Sequence, residues 1–550
     1  MTDTYTVSDY LLDRLQSLGV DHLFGIPGDF ILPFFQAMEP HGIAHIATCN
    51  ELNAGYAADG YARLRGLGAV AVTYGPGAFS LVNAVAGAYA ERVPLVVISG
   101  GPRLKTYTSN PQPTLHHVLP GKLASSMAIF KEITVLAQRL DDPNTASTMI
   151  DAALQTCLRE QRPVYLEVPS DLQLAPCSRP VGELQASEPP SHPTFDQLLA
   201  RICQRIVAGR TVLLSGHEIH RQHLQEKVGQ LVSRTGLPIA SMFTGKADYA
   251  EHWPQCVGLY MGAGSCEPVR QFVESADNVI FLGAVPSDFN LGGFTAKLRP
   301  QQQIIAFDNA LMIDDERIES IPLTAFVDAL LDHLPPGCGA QDDAPHAGFL
   351  HRAATPYQPE SSTPVCNRRF YDRIAHFLRS GDIVLADAGA AVNSVHIQLP
   401  AGVQYQTSTY WASIGMGFGA SVGASFAADT GQRVIALEGD GSFQMSAQEL
   451  ATLTRYGKAP IIFLINNRGY TAERLIHDGA FNDIAEWKYH RLCEAWGGAG
   501  IEVRTEGELE TALSHADQWA GPGALLIEVH MDPWDASDAF KLMSEALRTH

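Results

Sequence analysis

Two short apolar runs in the last third of the chain constrain its fold more than any other feature. Residues 433–437 lead into Gly-Asp-Gly-Ser at 439–442, and residues 461–465 lead into Asn-Asn-Arg-Gly at 466–469. The segment 446–456 between the two runs has the apolar spacing of an amphipathic helix. A strand, a helix and a second strand form a right-handed crossover, which places both turns at the carboxyl edge of one parallel sheet.

The boundaries of that helix have their own signals. Ser446 and Glu449 have the spacing of a capping box at its N-terminus. Gly457 follows the last turn, where glycine commonly ends a helix. The sequence therefore predicts a complete strand–helix–strand unit.

The two turns offer the oxygen atoms that a small hard cation requires. Asp440 supplies a carboxylate, Asn467 a side-chain carbonyl and Gly469 a backbone carbonyl, and Mg²⁺ commonly takes a few such ligands together with phosphate oxygens. Gly441 allows a close backbone approach to a diphosphate, and Ser442 can donate a hydrogen bond to it. Either motif alone is typical of an ordinary turn. Both motifs, separated by one strand–helix–strand unit, predict a site for Mg²⁺ and a diphosphate.

The rest of the chain also alternates short apolar runs with amphipathic segments, which is typical of parallel α/β architecture. The predicted strands outside the last block are 68–74, 94–99, 212–215 and 279–282, with a helix at 79–91. Stretches rich in Pro and polar residues, at 176–193 and 335–364, read as linkers.

We therefore predict an α/β fold with three domains, each a parallel-sheet open α/β sandwich. The predicted domains cover residues 1–185, 190–340 and 360–550.

Charge and composition exclude several classes of function. The chain of 550 residues has a formal net charge of -21, which argues against nucleic acid and anionic membrane surfaces as partners. Nine scattered cysteines form no CxxC pair, a pattern typical of free thiols in a reducing compartment. The sequence shows neither a signal peptide nor a long apolar run. We expect a cytoplasmic protein that binds neither nucleic acid nor membrane.

Together with further motifs, these turns resemble the thiamine-diphosphate enzymes, and specifically the pyruvate, indolepyruvate and phenylpyruvate decarboxylases. The resemblance extends from about residue 5 to residue 530. Its motifs are FGIPGDF at 24–30, ELNAGYAADGYAR at 51–63, LHH at 115–117, GDGS and NN as above, YTAE at 470–473, and NDI with Trp487 at 482–487.

The resemblance implies a function, an assembly and the role of each domain. The expected reaction is non-oxidative decarboxylation of a 2-oxo acid to an aldehyde and CO2 with thiamine diphosphate and Mg²⁺. The first domain would bind the pyrimidine, the second is the middle domain, and the third would bind the diphosphate. Active sites would lie between subunits of a homotetramer, a dimer of dimers.

The resemblance also assigns catalytic residues. Glu51 would contact N1′ of the cofactor aminopyrimidine, while Asp29, His116, His117 and Glu473 would form a proton relay. Taken alone, each has an ordinary explanation. An acidic residue such as Glu51 in a first helical turn is favourable without catalysis, and adjacent histidines are usually surface residues.

Further residues would contact the cofactor. Ile414 would support its bent conformation, and the carbonyl of Ala412 would accept a hydrogen bond from its amino group. Tyr470 would also contact the cofactor. An isoleucine followed by glycine is more often simply core. Ala388 stands where a hydroxyl or amide often contacts the diphosphate.

Small residues around the expected substrate site predict substrates larger than pyruvate. Ala391 and Val392 lie in a segment that lacks the bulky aromatic residue typical of pyruvate enzymes, and Ala472 is also small. We therefore expect arylpyruvates, such as phenylpyruvate or indole-3-pyruvate, or long or branched 2-oxo acids.

The alternative functions are a pyruvate decarboxylase, a carboligating relative similar to acetohydroxyacid synthase, or a non-catalytic binding protein. A flavin-binding oxidase is disfavoured because Gly262-Ala263-Gly264 lacks a third glycine and a convincing preceding strand.

Overall fold

A computed structural model describes residues 4–109, 114–184, 194–246, 251–345 and 357–548. The chain divides into two compact units. The first unit comprises Met1–Ser187, Phe418–Thr430 and Ser446–Ala459. The second unit comprises Glu188–Gly417, Gly431–Met445 and Pro460–His550.

The first unit contains a six-stranded parallel sheet in the order β2-β1-β3-β4-β6-β5. Every residue of the central strands β3 and β4 is buried, as expected for a sheet that helices cover on both faces. The strands are β1 (His22–Gly25), β2 (Ala44–Ala47), β3 (Gly68–Thr73), β4 (Leu95–Gly101), β5 (Leu136–Arg139) and β6 (Val164–Pro169). The helices of this part of the chain are Val7–Ser17, Leu32–Met38, Glu51–Arg65, Pro76–Ser80, Val82–Ala90, Leu104–Thr108, Ser125–Ile133, Ala146–Glu160 and Ser170–Gln173.

The middle part of the chain forms a seven-stranded sheet in the order β13-β12-β11-β10-β7-β8-β9. Strand β12 pairs antiparallel with both β11 and β13, and the remaining pairs are parallel. The strands are β7 (Thr211–Ser215), β8 (Ile239–Met242), β9 (Cys256–Tyr260), β10 (Asn278–Leu282), β11 (Gln303–Phe307), β12 (Ala310–Ile313) and β13 (Glu316–Glu319). The α-helices are Phe195–Ala208, Glu218–Arg221, Gln225–Thr235, Glu267–Glu274 and Leu323–His333, with short 3-10 turns at Phe243–Gly245, Gly262–Gly264 and Pro300–Gln302.

The last part of the chain forms a six-stranded parallel sheet in the order β15-β14-β16-β17-β19-β18. The strands are β14 (Ile383–Ala386), β15 (Gln404–Thr407), β16 (Val434–Gly439), β17 (Ile461–Asn466), β18 (Ala499–Val503) and β19 (Leu525–His530). The helices are Asn367–Phe377, Ala388–Ser394, Met416–Ala427, Asp440–Phe443, Glu449–Arg455, Thr471–Ile476, Tyr489–Ala495, Glu506–Asp517 and Asp538–Leu547, with a 3-10 turn at Ala480–Asn482.

The predicted fold class is confirmed, with three α/β sheets of which two are wholly parallel and one mostly parallel. Two local predictions are wrong. The helix predicted at 79–91 is two helices that meet at Leu81. The helix predicted from Ser446 begins at Glu449, with Gln448 at its N-cap.

The carboxylate of Glu449 explains why no capping box forms. It accepts hydrogen bonds from the Cys49 backbone N–H, the Asn53 side-chain amide and the Thr452 hydroxyl. It is therefore committed to the helix Glu51–Arg65 rather than to its own N-terminus. Gly457 has a φ of +62°, which confirms the predicted helix stop.

A third expectation, that no convincing strand precedes Gly262-Ala263-Gly264, is also wrong. Strand β9 ends just before this turn, and the helix Glu267–Glu274 follows it. The third position of a dinucleotide fingerprint is nevertheless Glu267 rather than glycine. The C-terminal helix Asp538–Leu547 packs against the turn.

Other sequence predictions have mixed outcomes. All nine cysteines are free thiols, as expected. No helix in the described part of the chain combines the length and apolar character needed to cross a membrane. The three domain boundaries stay a prediction, and residues 185–193 and 346–356 of the two expected linkers lie outside the described residues.

Candidate active site

Polar side chains follow three neighbouring strands of the C-terminal sheet where each strand ends. Asp387 follows β14, Asp440 follows β16, and Asn467 follows β17. Strands β14, β16 and β17 pair in parallel, so their carboxyl ends meet at one edge of the sheet. The predicted juxtaposition of the two turns is confirmed.

Asp440, Asn467 and Gly469 bring three oxygens together, and we call them the oxygen cluster. The Asn467 amide donates 2.7 Å to the Thr471 hydroxyl, so its carbonyl oxygen points the other way. That position lies 3.2 Å from Asp440 Oδ1 and 2.9 Å from the Gly469 carbonyl oxygen. Three oxygen atoms that only accept hydrogen bonds therefore repel one another. Turning the amide would put its NH2 group towards the other two oxygens and relieve this repulsion.

A cation would also relieve the repulsion, without turning the amide. Adjacent oxygen ligands of octahedral Mg²⁺, bound at about 2.1 Å, are about 3 Å apart. The separations in the oxygen cluster match that spacing. The donor set therefore fits a magnesium ion.

The backbone around Asp440 holds its carboxylate in place. Oδ2 accepts from the backbone N–H groups of Arg468 at 2.6 Å and Gly469 at 3.2 Å, and Oδ1 accepts from Gly441 at 2.8 Å. Burial raises the pKa of Asp440 to about 6, although these hydrogen bonds oppose the shift. Gly469 has a φ of +137°, and a Cβ there would lie 2.1 Å from the Asn482 carbonyl oxygen. Only glycine fits that position.

Arg474 braces the same loop, and sequence reasoning missed it. Its guanidinium donates to the carbonyl of Arg468 and to the carboxylate of Asp483, both at 2.7 Å. A longer hydrogen bond, at 3.4 Å, reaches the backbone carbonyl of Asn467. The residue is three positions after Thr471, and no local motif distinguishes it from a surface arginine of a helix.

The glycines of the GDGS turn leave room for a diphosphate. A Cβ on Gly439 would meet nothing within 4 Å, so this backbone borders open space. A Cβ on Gly441 would collide with the Tyr470 ring at 2.4 Å. Ser442, expected to donate to the diphosphate, donates its hydroxyl to Asp387 at 2.7 Å instead.

Asp387 joins three segments of the site, and the sequence did not assign it a role. Its Oδ1 accepts from the Ser442 hydroxyl and from the Ala388 N–H at 2.9 Å. Its Oδ2 accepts from the N–H groups of Gly415 at 2.9 Å and Gly417 at 3.0 Å. Burial raises the pKa of Asp387, whereas the four hydrogen bonds lower it. The only sequence signal was an acidic residue directly after a buried strand.

Glu438 lies beside this network as a second buried acid. Its side chain is fully buried, and neither carboxyl oxygen has a hydrogen-bond partner within the described ranges. Gly417 makes room for it, because a Cβ there would lie 2.6 Å from Oε1. Burial, together with the negative charge of Asp387, raises the pKa of Glu438 well above its usual range.

A cavity of about 410 Å³ opens beside the oxygen cluster. Of the three predicted substrate residues, Val392 and Ala472 line it, whereas Ala391 packs in the hydrophobic core. Glu473, Ile414, Ala412 and Tyr470 line it as well. The apolar residues that sequence reasoning missed in its wall are Phe289, Ile476, Phe540, Met543 and Leu547.

Three of those residues belong to the C-terminal helix Asp538–Leu547. Ser537 caps this helix by accepting from the Phe540 N–H at 3.3 Å. It is also tied to the segment that lines the cavity. Its hydroxyl donates to the Val392 carbonyl at 3.2 Å, and its N–H donates to Asn393 Oδ1 at 2.9 Å. The last helix of the chain thus forms one wall of the cavity.

The segment expected to support the bent cofactor has an unusual backbone. Ala412 has a φ of +55°, in the left-handed region that costs a non-glycine residue about 1–2 kcal/mol. Ile414 is 37% exposed and faces the cavity. An exposed isoleucine beside a strained alanine indicates a binding surface rather than core.

The first unit brings three of the predicted catalytic residues together. His116 Nε2 lies 2.9 Å from Asp29 Oδ2, and His117 Nε2 lies 3.8 Å from Asp29 Oδ1. The two imidazole centroids are 4.3 Å apart. All three side chains retain solvent contact, so protons can enter and leave this cluster.

Tyr74 and Phe30 hold the histidines in place. The Tyr74 hydroxyl donates to the His116 carbonyl at 2.6 Å, and the Phe30 ring packs against both the Tyr74 and His116 rings. His117 has a φ of +67°, a strained conformation for a residue with a Cβ. The hydrogen bond from Tyr74 therefore helps to hold this strained segment of backbone in place.

Glu51 is the first residue of the helix Glu51–Arg65. Asn50 caps the helix by accepting from the Asn53 N–H at 2.8 Å. The Glu51 carboxylate faces Gly77, where a Cβ would lie 3.5 Å from Oε1. Glu51 lies in the first unit and the oxygen cluster in the second.

Three family models match successive parts of the chain. They are described as thiamine pyrophosphate enzyme, N-terminal TPP binding domain (residues 5–126), central domain (residues 199–334) and C-terminal TPP binding domain (residues 387–529). Thiamine pyrophosphate is the same molecule as thiamine diphosphate. The cofactor expected from the sequence is therefore confirmed at the level of the family.

Individual proteins give the same result over almost the whole chain. The chain is 33% identical to the pyruvate decarboxylase of Aspergillus fumigatus, with 98% of this chain and 96% of that protein covered. It is 36% identical to the indole-3-pyruvate decarboxylase of Azospirillum brasilense, with 93% and 92% covered. It is 35% identical to the alpha-keto-acid decarboxylase of Mycobacterium tuberculosis, again with 93% and 92% covered.

A solved structure supports the fold. The thiamine diphosphate-dependent 4-hydroxybenzoylformate decarboxylase of Rhodococcus jostii matches with a TM-score of 0.76 at 20% identity, covering 96% of this chain and 99% of that one. Since three family models and several relatives above 30% identity agree, the chain belongs to the thiamine-diphosphate-dependent 2-oxo acid decarboxylases.

Proposed function

We propose that this decarboxylase prefers arylpyruvates, or long or branched aliphatic 2-oxo acids, over pyruvate. The observation that carries the proposal is the wall of the cavity. Val392 and Ala472 are small, and Phe289, Phe540 and Met543 give the same wall a broad apolar surface. Burying an aromatic side chain against such a surface contributes about 2–3 kcal/mol, a gain that the methyl group of pyruvate cannot match.

The oxygen cluster supports Mg²⁺ as the metal that anchors the cofactor. Asp440, Asn467 and Gly469 would supply three oxygen ligands, and the diphosphate would complete the coordination. The open backbone at Gly439 and the N-terminus of the short helix after it would receive phosphate oxygens. Bound metal would neutralise phosphate charge in this acidic protein.

Thiamine diphosphate supplies the electron sink for cleavage of the bond to the carboxyl group. The residues of this chain position the cofactor and the substrate, transfer protons and exclude water. Ala412 offers a backbone carbonyl and Ile414 an apolar support for the bent cofactor. Glu51 would hold a proton at the aminopyrimidine end of the cofactor.

The cluster of Asp29, His116 and His117 would move protons during aldehyde formation. The 2.9 Å contact between His116 and Asp29 is short enough for direct proton transfer. Glu473, on the cavity wall, would act on the substrate side. Tyr74 would hold His116 in place beside Asp29.

We further propose the assembly expected from the sequence. Residues 1–185 would bind the pyrimidine, residues 190–340 form the middle domain, and residues 360–550 would bind the diphosphate. Glu51 of one chain would complete the site built on Asp440 of another, within a cytoplasmic homotetramer arranged as a dimer of dimers. The exposed Tyr410, Trp411 and Ile414, 42%, 42% and 37% accessible, support a partner surface at this position.

A comparison of two substrates tests the preference directly. The holoenzyme, loaded with thiamine diphosphate and Mg²⁺, is assayed for release of aldehyde from phenylpyruvate and from pyruvate. We expect a higher kcat/KM for phenylpyruvate. The Ala472→Ile variant should shift the ratio towards pyruvate, because its larger side chain fills the wall. A clear preference of the unaltered enzyme for pyruvate would refute the proposal.

A further inference from the structure

One part of the cavity wall is polar and buried. Asn367 and Tyr371 lie one turn apart on the helix Asn367–Phe377, and both line the cavity. Their relative exposures are 4% and 2%. Two polar side chains therefore border the same enclosed space from one helix face.

These two polar groups are unsatisfied. In the parts of the chain that the structure describes, Asn367 donates its backbone N–H to Asp535, whereas no hydrogen bond is found for its side-chain amide or for the Tyr371 hydroxyl, and both residues border the cavity. Asn393, in the same cavity, is different: its amide donates to Gly389 and accepts from Ser537, both at 2.9 Å. Buried polar groups in folded proteins are almost always paired. The missing partner of Tyr371 and Asn367 is therefore expected to come from the cavity itself.

The chemistry of the lining restricts that partner. Among the described residues that line the cavity there is no Lys, Arg or His, whereas Asp440, Glu473 and Asp535 are acidic. A negatively charged substituent would be repelled there. A neutral group that both donates and accepts, carried on an apolar ring, matches the tyrosine hydroxyl, the amide and the surrounding apolar wall.

We propose that Tyr371 and Asn367 form a subsite for the ring hydroxyl of a hydroxyaryl 2-oxo acid. This inference rests on the proposed preference for arylpyruvates and specifies which ones the enzyme selects. The hydroxyl pairs with the two polar groups while the ring contacts Phe289 and Phe540. A substrate without the hydroxyl leaves the buried tyrosine and amide unpaired, which lowers its relative rate.

The selectivity of the holoenzyme tests the subsite. We measure kcat/KM for 4-hydroxyphenylpyruvate and phenylpyruvate, and expect the hydroxylated substrate to be favoured by about tenfold. In Tyr371→Phe this ratio should fall to about one, and Asn367→Ala should lower it as well. The matched control is Tyr260→Phe. Tyr260 is a buried tyrosine on β9 whose hydroxyl donates to Glu274 at 3.4 Å and which does not line the cavity, so its loss should leave the ratio unchanged.

The outcomes separate this inference from the function on which it rests. If neither arylpyruvate is decarboxylated, the proposed function fails. If both are turned over with equal efficiency, and Tyr371→Phe keeps the ratio of the unaltered enzyme, only the subsite is wrong. An equal fall of the ratio in Tyr260→Phe would also overturn it, since the effect would then be general to buried tyrosines.

Discussion

Asp387 shows how one side chain organises the site without belonging to a recognised motif. Its carboxylate ties the Ser442 hydroxyl to the backbone of Gly415 and Gly417, the segment directly after Ile414. Hydrogen bonds to a charged acceptor are stronger than neutral ones, and a broken one leaves a buried donor unpaired. Asp387 therefore holds the GDGS turn and the segment after Ile414 together.

Replacement of Asp387 by Asn tests that positioning. The amide NH2 would face donors on one side, so at least one of the four hydrogen bonds is lost. We expect the Kd for thiamine diphosphate to rise about tenfold, equivalent to about 1.4 kcal/mol. Isothermal titration calorimetry in the presence of Mg²⁺ measures it.

Asp382 provides the control at the other end of the same strand. It is buried and paired with Arg433 at 2.6 Å. Asp382→Asn should lower the melting temperature without changing the affinity for cofactor. Equal losses of affinity in both variants would mean that Asp387 acts only through general stability.

The C-terminal helix Asp538–Leu547 forms a wall of the cavity and is held there by hydrogen bonds of Ser537. Ser537 both caps the helix and hydrogen-bonds the Val392 carbonyl, so the same residue stabilises the helix and fixes it over the cavity. Phe540, Met543 and Leu547 then face the cavity at helical spacing. Weakening the cap should loosen the wall of the cavity that we propose as the substrate site.

The Ser537→Ala variant removes this cap. An N-cap serine contributes about 1 kcal/mol to helix stability, so we expect the KM for phenylpyruvate to rise about fivefold. The control is Thr505→Ala, which removes a complete capping box from the helix Glu506–Asp517, none of whose residues lines the cavity. A rise in KM in both variants, or in neither, contradicts the role of the C-terminal helix.

Much of the secondary structure and the two turns GDGS and NNRG could be predicted because they depend on local sequence patterns. Buried strands read as apolar runs, and GDGS and NNRG follow two of them directly. The helix predicted from Ser446 was misplaced because Glu449 bonds to Cys49 and Asn53, almost four hundred residues earlier in the chain. Phe289 and Phe540 reach the cavity from distant segments, so no local pattern could reveal them.

At the scale of the whole molecule, the predicted site is divided between two units of the chain. Asp29, Glu51, His116 and His117 lie in the first unit, and Asp440, Asn467 and Glu473 lie in the second. In the assembly that we propose, each active site joins residues from two chains. That arrangement gives a quantitative prediction for mixed oligomers.

Coexpression of Glu51→Gln and Asp440→Ala chains tests it. Each variant alone should be inactive. Random pairing gives about half mixed dimers, and each mixed dimer retains one intact site of two, so about a quarter of the unaltered activity should return. Purified mixed oligomers with no recovered activity would mean that both residues serve the same site from one chain.

The central claim is that the oxygen cluster holds Mg²⁺ and, through it, the diphosphate of the cofactor. The most direct measurement is the binding of thiamine diphosphate to the purified protein by calorimetry, with Mg²⁺ and after its removal by a chelator. We predict tight binding only with Mg²⁺, and loss of that binding in Asp440→Ala. A protein that fails to bind thiamine diphosphate in saturating Mg²⁺, or binds it equally well without the metal, would contradict the account.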